Sequence, residues 1–323
     1  MEKLINTKKI KIMVTTDPFG TINDAPRKQL HHLNVHYNDV KRRYTREELI
    51  ARIKKINPNI IIAGTEKYDL EILDLLPDLK LIARVGIGLD SIPLDECKKR
   101  GIIVTYTPDA PSNAVAELTI CQILNMLRRV QYAHYDILNK KWNRYIGKEL
   151  RDCNIGIIGC GRIGSLIIQK LQGLKPRRVF INDLIHEKTE NQPRSEYSTK
   201  YQILTNCDII TIHIPYNEEN HDFIAKDELD VMKKDVKIIN TSRGGIINEN
   251  DLYTFLKRNK SAAASIDTFT EEPYTGKLLN LNNIFLTPHL GSCSIKSRFD
   301  MEVGAAEEVI NYLSNLPFNN RVI

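Results

Sequence analysis

Short apolar runs alternate with amphipathic stretches along almost the whole chain. Four runs in the first third are rich in β-branched residues, as buried strands are: KIKIMVTT, NIIIAG, LKLIARVG and GIIVTY. Six more follow: NIGIIG, RVFIND, DIITIHIP, VKIINTSRG, AAASID and NIFLTP. Helical patterns lie between them at residues 45–55, 93–100, 161–173 and 248–259. Because strands that alternate with helices build parallel sheets covered on both faces, the pattern predicts an α/β fold.

A break in this pattern divides the chain at TPDAPSNAVAELTICQILNMLRR. Two prolines precede a long helical pattern, and Ser112 or Asn113 is placed to cap that helix. A second set of strands follows, and the last segment has helical spacing with no strand after it. We expect that helix to pack back onto the first domain. The prediction is a discontinuous domain of residues 1–111 and 294–323 and a second domain of residues 112–293.

Composition excludes several classes of protein. The chain has 323 residues, of which 42% are hydrophobic, enough for two cores. No apolar run approaches the roughly 18 residues of a membrane span, and the first residues have no signal-peptide core. Six scattered cysteines with no metal-binding spacing predict free thiols, a cytoplasmic location and no metal site. The net charge of +6 is modest, and the densest basic group, DVKRRYTREE, contains carboxylates. We interpret that group as a solvated helix face rather than a nucleic-acid site, and expect an anionic small substrate.

A glycine-rich turn lies between the strand NIGIIG and the helix that follows it. The three glycines with G-x-G-x-x-G spacing are Gly159, Gly161 and Gly164. This spacing allows a tight turn, close approach of a pyrophosphate and close packing of helix on strand. Asp183 ends the next strand, where a carboxylate would bind a ribose and repel a 2′-phosphate. The pattern predicts NAD rather than NADP, with His186 and Lys188 as the residues most able to weaken that preference.

Three polar side chains follow three successive predicted strands. Arg243 lies in INTSRGG, Glu272 in SIDTFTEEP and His289 in TPHLGSCS. Taken singly, Arg243 could form a surface ion pair, and His289 could be a loop histidine held by a carbonyl group. Because ligands bind at the carboxyl edge of an open parallel sheet, the three together predict a functional site.

The chain resembles the D-isomer-specific 2-hydroxyacid dehydrogenases, and most closely their phosphoglycerate dehydrogenase-like branch. The matching motifs occur in family order: RVGIGLDSIPLDECKKRGIIV, TPDAPSNAVAEL, GCGRIG, INTSRGGIINENDL, IDTFTEEP and TPHLGS. The resemblance implies two parallel-sheet domains, Rossmann-like and flavodoxin-like, with the substrate domain discontinuous. It also implies NAD as the cofactor and interconversion of a D-2-hydroxy acid and its 2-keto acid. The catalytic residues that it implies are Arg243, Glu272 and His289.

These residue types suit that chemistry. Histidine exchanges a proton near neutral pH, so His289 can protonate the new alkoxide in reduction and act as the base in oxidation. A carboxylate at Glu272 favours the imidazolium form and orients the ring. The planar guanidinium of Arg243 can bind the substrate carboxylate and polarise the keto oxygen.

The resemblance assigns further residues to binding. In the family, the loop that matches Val85 and Gly86 presents amides to the substrate carboxylate. The residues that match cofactor-binding positions are Arg162 and Ile163 at the pyrophosphate, and Ile214, Thr241 and Asp267 at the adenosine and nicotinamide. Those that match family arginines, available for a substrate phosphate, are Arg84 and Arg128. His213 shares the turn of Ile214, and we interpret it as structural.

The chain departs from the family near Ala63–Gly64, where many phosphoglycerate dehydrogenases have an arginine. Lys67 can partly replace that charge. We therefore expect reduction of hydroxypyruvate or glyoxylate, with 3-phosphohydroxypyruvate either weaker or dependent on Lys67. The chain stops soon after its last helix, so we expect no serine feedback of the kind found in longer members.

Trp142 and the helix from Ser112 resemble the arm through which family members form homodimers, although Trp142 could be an ordinary core residue.

Two other functions compete with that of an enzyme. Family-like corepressors keep the catalytic residues but act mainly as NADH-binding scaffolds. A formate dehydrogenase relative is disfavoured, because that family does not use a Glu–His pair beside its arginine.

Overall fold

Two parallel sheets organise the chain. The computed structural model describes residues 9–185 and 195–323, so His186 and Lys188 lie outside the described residues. The chain divides into two units, one of Met1–Pro111 with Ser292–Ile323 and one of Ser112–Gly291.

The described residues contain the following elements. The strands are β1 (Lys11–Val14), β2 (Asn34–His36), β3 (Ile60–Ala63), β4 (Leu81–Arg84), β5 (Ile103–Thr105), β6 (Asn154–Ile158), β7 (Arg178–Asn182), β8 (Glu196–Tyr197), β9 (Ile209–Ile212), β10 (Lys237–Asn240), β11 (Ala263–Ile266) and β12 (Ile284–Leu286). The α-helices are α1 (Ala25–Leu30), α2 (Arg46–Ile56), α3 (Leu70–Asp74), α4 (Leu94–Lys99), α5 (Ser112–Arg128), α6 (Val130–Leu138), α7 (Arg162–Leu174), α8 (Lys200–Asn206), α9 (Lys226–Val231), α10 (Glu249–Arg258) and α11 (Ile295–Leu313). Short 3₁₀ helices span Leu150–Asp152, Glu218–Asn220 and Lys277–Asn280.

The first unit contains a five-stranded sheet in the order β2-β1-β3-β4-β5, and every neighbouring pair is parallel. β3 and β4 are buried along their whole length, because helices cover both faces of a doubly wound sheet. The strand order reverses at β1, which pairs with both β2 and β3. The carboxyl ends of β1 and β3 therefore flank the switch point of this sheet, where such folds place ligands.

The second unit contains a seven-stranded parallel sheet in the order β12-β11-β10-β9-β6-β7-β8. Its order reverses at β6, which pairs with β7 and β9, so the turn after β6 lies at the second switch point. The predicted α/β class with two parallel sheets is confirmed, and all four predicted helices are present as α2, α4, α7 and α10.

Two local predictions need revision. α5 begins at Ser112, and the side-chain amide of Asn113 donates to Glu117 one turn along the helix, so Asn113 lies inside the helix and does not cap it. The basic group DVKRRYTREE is not one helix face, because α2 begins only at Arg46, where Thr45 and Glu48 form a capping box. Within the described residues, no helix is long and apolar enough to cross a bilayer.

Candidate active site

The turn after β6 has the close contacts that its glycines predict. Gly159 has a positive φ of +96°, and a Cβ there would lie 2.6 Å from the His213 carbonyl carbon. A Cβ on Gly164 would lie 2.0 Å from the Gly159 carbonyl oxygen, so α7 packs against the turn only with glycine. A Cβ on Gly161 would meet nothing within 4 Å. The backbone at Gly161 therefore borders open space, the arrangement that a pyrophosphate needs.

The helix after this turn is suited to bind an anion. α7 begins at Arg162 and Ile163, and no side chain caps its N-terminus at Gly161. The amides of a helix's first turn lie at the positive end of the helix dipole, which favours an anion there. The Asp183 carboxylate lies over the same turn, with Oδ2 accepting from the Cys160 amide at 2.7 Å. These residues fit a dinucleotide with its pyrophosphate at α7 and its ribose near Asp183.

A glutamate and a histidine meet at the carboxyl edge of the same sheet. His289 Nδ1 lies 3.0 Å from Glu272 Oε2 and 3.1 Å from Oε1. Their side chains are 36% and 30% exposed, so the pair is accessible to a small molecule. Because Nδ1 faces the carboxylate, Nε2 is the ring nitrogen that can exchange a proton with a substrate.

The loop that carries His289 is held by the end of β11. The His289 amide donates to the carbonyl oxygens of Asp267 at 2.9 Å and Thr287 at 3.0 Å. The buried Asp267 carboxylate accepts from the Leu290 and Gly291 amides at 2.8 and 2.9 Å. His289 has a positive φ of +53°, an unusual conformation for a residue with a side chain. This network fixes the loop on both sides of the histidine.

Arg243 lies at the end of the neighbouring strand, β10, and is half-buried. Its Nη1 donates to the Ser242 carbonyl at 2.7 Å, and its own carbonyl accepts from Asn240 Nδ2 at 2.8 Å. A Cβ on Gly244 would lie 1.9 Å from the Phe269 carbonyl carbon, so only glycine lets the Arg243 turn pack against the segment that leads to Glu272. The second unit thus brings together the ends of β10, β11 and β12, from which all three predicted catalytic residues extend.

The other predicted cofactor residues differ in what their side chains contact. Ile214 is half-buried beside the glycine turn, whereas the Thr241 hydroxyl bonds Thr119 in α5 at 2.9 Å. Both Asp267 oxygens already accept internal hydrogen bonds. The role of Asp267 in holding the His289 loop was missed, because sequence spacing does not show which amides a buried carboxylate meets. Among the described residues, no group of three or more His, Cys, Asp or Glu side chains could hold a metal ion.

The proposed amide donors in the first unit need correction. The Val85 amide donates to the Ala63 carbonyl at 2.9 Å, and the Gly86 amide donates to Thr107 Oγ1 at 2.8 Å. Both amides are therefore committed to internal hydrogen bonds. Within the described ranges, no acceptor is bonded to the amides of Ile87 and Gly88, which follow in the same turn. These two are the better donors for a carboxylate.

The candidate phosphate ligands are not equivalent. Arg84 is 7% exposed, and its Nε donates to the Gly88 carbonyl at 3.1 Å, so it supports the turn after β4. Lys67 is exposed in the loop after β3. Arg128 is the last residue of α5, about 20 Å along the helix from Val115, which contacts the His289 loop at Gly291. Arg128 therefore cannot reach the Arg243, Glu272 and His289 side chains of its own chain.

Comparison with known proteins shows which family has this arrangement. Residues 120–291 match the profile described as D-isomer specific 2-hydroxyacid dehydrogenase, NAD binding domain. The chain is 34% identical to the glyoxylate reductase of Thermofilum pendens over 83% of its own length and 82% of that protein. The chain belongs to the D-isomer specific 2-hydroxyacid dehydrogenase family. Its relatives are dehydrogenases and reductases, so this is a family of NAD-dependent oxidoreductases, and the predicted family and cofactor are confirmed.

Other relatives differ in length or in activity. The chain is 31% identical to the D-3-phosphoglycerate dehydrogenase of Archaeoglobus fulgidus over 88% of its own length, but it spans only 54% of that protein. The structure of D-lactate dehydrogenase from Aquifex aeolicus, with NAD and lactic acid, has 25% identity and a TM-score of 0.81. That comparison covers 94% of this chain and 96% of the other.

Proposed function

We propose that this family member is an NAD-dependent enzyme that interconverts a small D-2-hydroxy acid and its 2-keto acid. The observation that carries the proposal is the Glu272–His289 pair, with 3.0 Å between Oε2 and Nδ1, at the sheet edge where Arg243 also lies. When bound, NAD supplies or accepts the hydride. The protein must then supply the proton and bind the substrate carboxylate.

Each of the three residues has a separate task in this proposal. In reduction, protonated His289 donates from Nε2 to the substrate oxygen as the keto group becomes an alkoxide. In oxidation, neutral His289 takes that proton back. Glu272 accepts from Nδ1–H, which orients the ring and stabilises its charged form. Arg243 binds the substrate carboxylate, because guanidinium and carboxylate match as a two-point pair.

We place the substrate among unphosphorylated acids such as glyoxylate or hydroxypyruvate. A phosphate needs more than one cation, and Arg128 does not reach the catalytic residues. Lys67 is exposed, and Arg84 is already bonded to Gly88, so dedicated phosphate ligands are scarce. We expect 3-phosphohydroxypyruvate to be a weaker substrate or to require Lys67. Because the chain spans about half of its phosphoglycerate dehydrogenase relatives, their substrate is not carried over to it.

The test measures NADH oxidation with glyoxylate, hydroxypyruvate and 3-phosphohydroxypyruvate in the wild type and in His289→Ala. Loss of the general acid should lower kcat by about two to four orders of magnitude while NADH binding is retained. Glu271→Gln, an exposed change in the neighbouring loop, is the control. Near-normal turnover in His289→Ala would contradict the assignment. NADH binding without turnover of any keto acid in the wild type would favour the scaffold function.

We also propose a homodimer formed through α5, α6 and the segment that follows α6, which contains Trp142 and Ile146. Trp142 and Ile146 are 82% and 95% exposed, unlike core residues, and Leu138 in α6 is 68% exposed. Sedimentation should show a dimer for the wild type and a monomer for Trp142→Asp; a monomeric wild type would contradict this. A cytoplasmic location is part of the proposal and rests on six free cysteines.

A further inference from the structure

A cavity of about 410 Å³ lies within the second unit, at the amino ends of β10, β11 and β12. Arg243, Glu272 and His289 follow the carboxyl ends of the same three strands. The cavity and the catalytic residues therefore lie at opposite edges of one parallel sheet. Its volume is within the range of small-molecule binding sites, and the proposed function makes no use of it.

Four cationic side chains line this cavity, and no carboxylate is among the lining residues that the structure describes. The cations are Arg129, Lys237, Lys257 and Lys260. In the described parts of the chain, none of the four forms an ion pair with an aspartate or a glutamate. We call this space the basic cavity. A concave surface that carries one sign of charge without an internal counter-charge attracts an anion.

Lys237 is the deepest of these cations. It is the first residue of β10, it is half-buried, and its Nζ donates to the carbonyl oxygens of Asp235 at 3.0 Å and Ser261 at 2.6 Å. An ammonium group has three N–H bonds, so the two carbonyl groups leave one for a ligand. Burial lowers the pKa of Lys237 to about 8; the charge of Asp235 opposes this effect, and that of Arg129 adds to it. By contrast, a hydrogen bond to the Asp235 carboxylate raises the pKa of Lys148. At pH 7 Lys237 is thus a charged group without a carboxylate of its own.

Tyrosine rings form another part of the wall. The guanidinium carbon of Arg129 lies 5.8 Å from the ring centroid of Tyr145, and Lys257 Nζ lies 5.5 Å from that of Tyr253. Tyr132 also lines the cavity, with its ring centroid 6.1 Å from that of Tyr145. Aromatic faces attract cations without neutralising their charge. The rings also offer an apolar surface to the carbon skeleton of a ligand.

Hydrogen bonds between separate elements fix the walls. Asn283 Nδ2 lies 3.0 Å from the Leu256 carbonyl oxygen and 2.9 Å from that of Ala262, which joins the segment before β12 to α10 and to the segment before β11. Gln131 Nε2 donates to the Ile284 carbonyl at 3.3 Å, which joins α6 to the start of β12. The basic cavity is therefore formed before any ligand arrives, so binding requires little ordering of the protein.

We propose that the basic cavity binds a small organic anion that carries two phosphate groups. A phosphate ester has a charge of about −1.5 to −2 near neutral pH, so two of them match the four cations. The guanidinium of Arg129 can bind a phosphate at two points, and the lysines act as point charges. The volume leaves room for a carbon skeleton beside the tyrosine rings. Because the cavity lies at the edge opposite the catalytic residues, this anion is a ligand other than the substrate.

Calorimetric titration at pH 7 tests the proposal with fructose 1,6-bisphosphate and fructose 6-phosphate. The protein is saturated with NADH, so that the cofactor site is occupied. We expect the bisphosphate to bind at least about tenfold more tightly than the monophosphate, because the second phosphate adds charge-assisted hydrogen bonds. The double variant Lys257→Gln/Lys260→Gln should weaken binding of the bisphosphate at least about tenfold. Lys98→Gln/Lys99→Gln removes two charges from exposed positions of α4 and should leave the affinity unchanged.

Three results would overturn the inference: no binding of the bisphosphate to the wild type, equal affinity for the two sugar phosphates, or unchanged affinity in a folded Lys257→Gln/Lys260→Gln variant. The last would place the anion elsewhere on the protein. Lys257 and Lys260 are exposed, so the fold should tolerate both changes. If the double variant does not fold, Lys260→Gln alone decides in the same way. Turnover of a keto acid enters none of these measurements, so the proposed function stands or falls separately.

Discussion

The backbone amide of His289 donates to the carbonyl oxygen of Asp267 at 2.9 Å, across the ends of two adjacent strands. The Asp267 side chain then accepts from the two amides that follow His289 in the chain. One buried aspartate thus holds the histidine loop through both its backbone and its carboxylate. Asp267 is a positioning residue for the proposed proton donor, whatever it contacts in the bound cofactor.

Asp267→Asn should therefore weaken catalysis through His289. The asparagine NH₂ would face an N–H or O–H donor, because Thr287 Oγ1, Leu290 N and Gly291 N all donate to this carboxylate. We expect a loss of about 1–3 kcal/mol in the free energy of unfolding, together with a lower kcat. Urea unfolding and steady-state kinetics measure the two effects, with the exposed Asp227→Asn as the control. Unchanged kcat and stability would show that the network does not constrain the loop.

Glu272→Gln should lower kcat for reduction. The variant can still accept from Nδ1–H of His289, but it removes a negative charge 3.0 Å from that nitrogen. Since the proposed proton donor is the charged ring, loss of its carboxylate partner should lower kcat about tenfold. Steady-state kinetics with NADH and a keto acid measure the loss, with Glu271→Gln alongside. Unchanged kcat in the Glu272 variant would mean that the carboxylate does not support the charged ring.

Of the twelve strands in the described residues, ten could be predicted because each has a continuous apolar run, and the longer helices because each has a 3.6-residue pattern. β2 and β8 were missed, since NVH and EY are too short and too polar to form such a run. The ends of β10, β11 and β12 were predictable in the same way, since a polar residue after each buried run must emerge at the carboxyl edge. The contacts of single groups could not be predicted. Whether the amides of Val85 and Gly86 are open depends on their partners Ala63 and Thr107, which are distant in sequence.

Two further residues show the same limit. Arg128 matches a family arginine in sequence, but the rise of α5 puts it about 20 Å from the end of the helix that contacts the His289 loop. Glu66 lies beside Lys67 in the loop after β3, and nothing in the sequence pattern there predicts that it is buried. Its burial follows from hydrogen bonds to Thr15 and Gly64, which no periodicity shows. The sequence pattern predicts at which edge of a sheet a residue lies. Its hydrogen-bond partners determine whether its polar groups can bind a ligand there.

Asp183 should select the cofactor. Its carboxylate is held over the glycine turn by the Cys160 and Ile185 amides, at 2.7 and 2.9 Å, so it cannot easily turn away from a 2′-phosphate. We expect kcat/KM to favour NADH over NADPH by about 100-fold or more, and Asp183→Asn to reduce that preference about tenfold. Kinetics with both cofactors measure the ratio, with Asp227→Asn as the charge-matched control. Equal kcat/KM for the two cofactors in the wild type would contradict this role.

His213 should make the stability of the fold depend on pH. It has no part in the proposed reaction. Its Nε2 lies 2.7 Å from Thr211 Oγ1, and among the described residues nothing bonds the buried Nδ1. Burial lowers the pKa of His213 from 6.5 to about 3. Between these pH values the unfolded chain binds a proton that the folded chain does not, so stability present above pH 6.5 is lost as the pH falls toward 3.

His213→Gln removes this titration and keeps a side chain that can reach Thr211. The free energy of unfolding of the wild type relative to the variant should therefore fall by up to about 2 kcal/mol between pH 7 and pH 5. Urea unfolding at both pH values measures this difference, and other titrating groups cancel because both proteins share them. His32→Gln, which changes an exposed histidine in the turn after α1, serves as the control. A difference between wild type and His213→Gln that is the same at both pH values would show that His213 takes up its proton without unfolding.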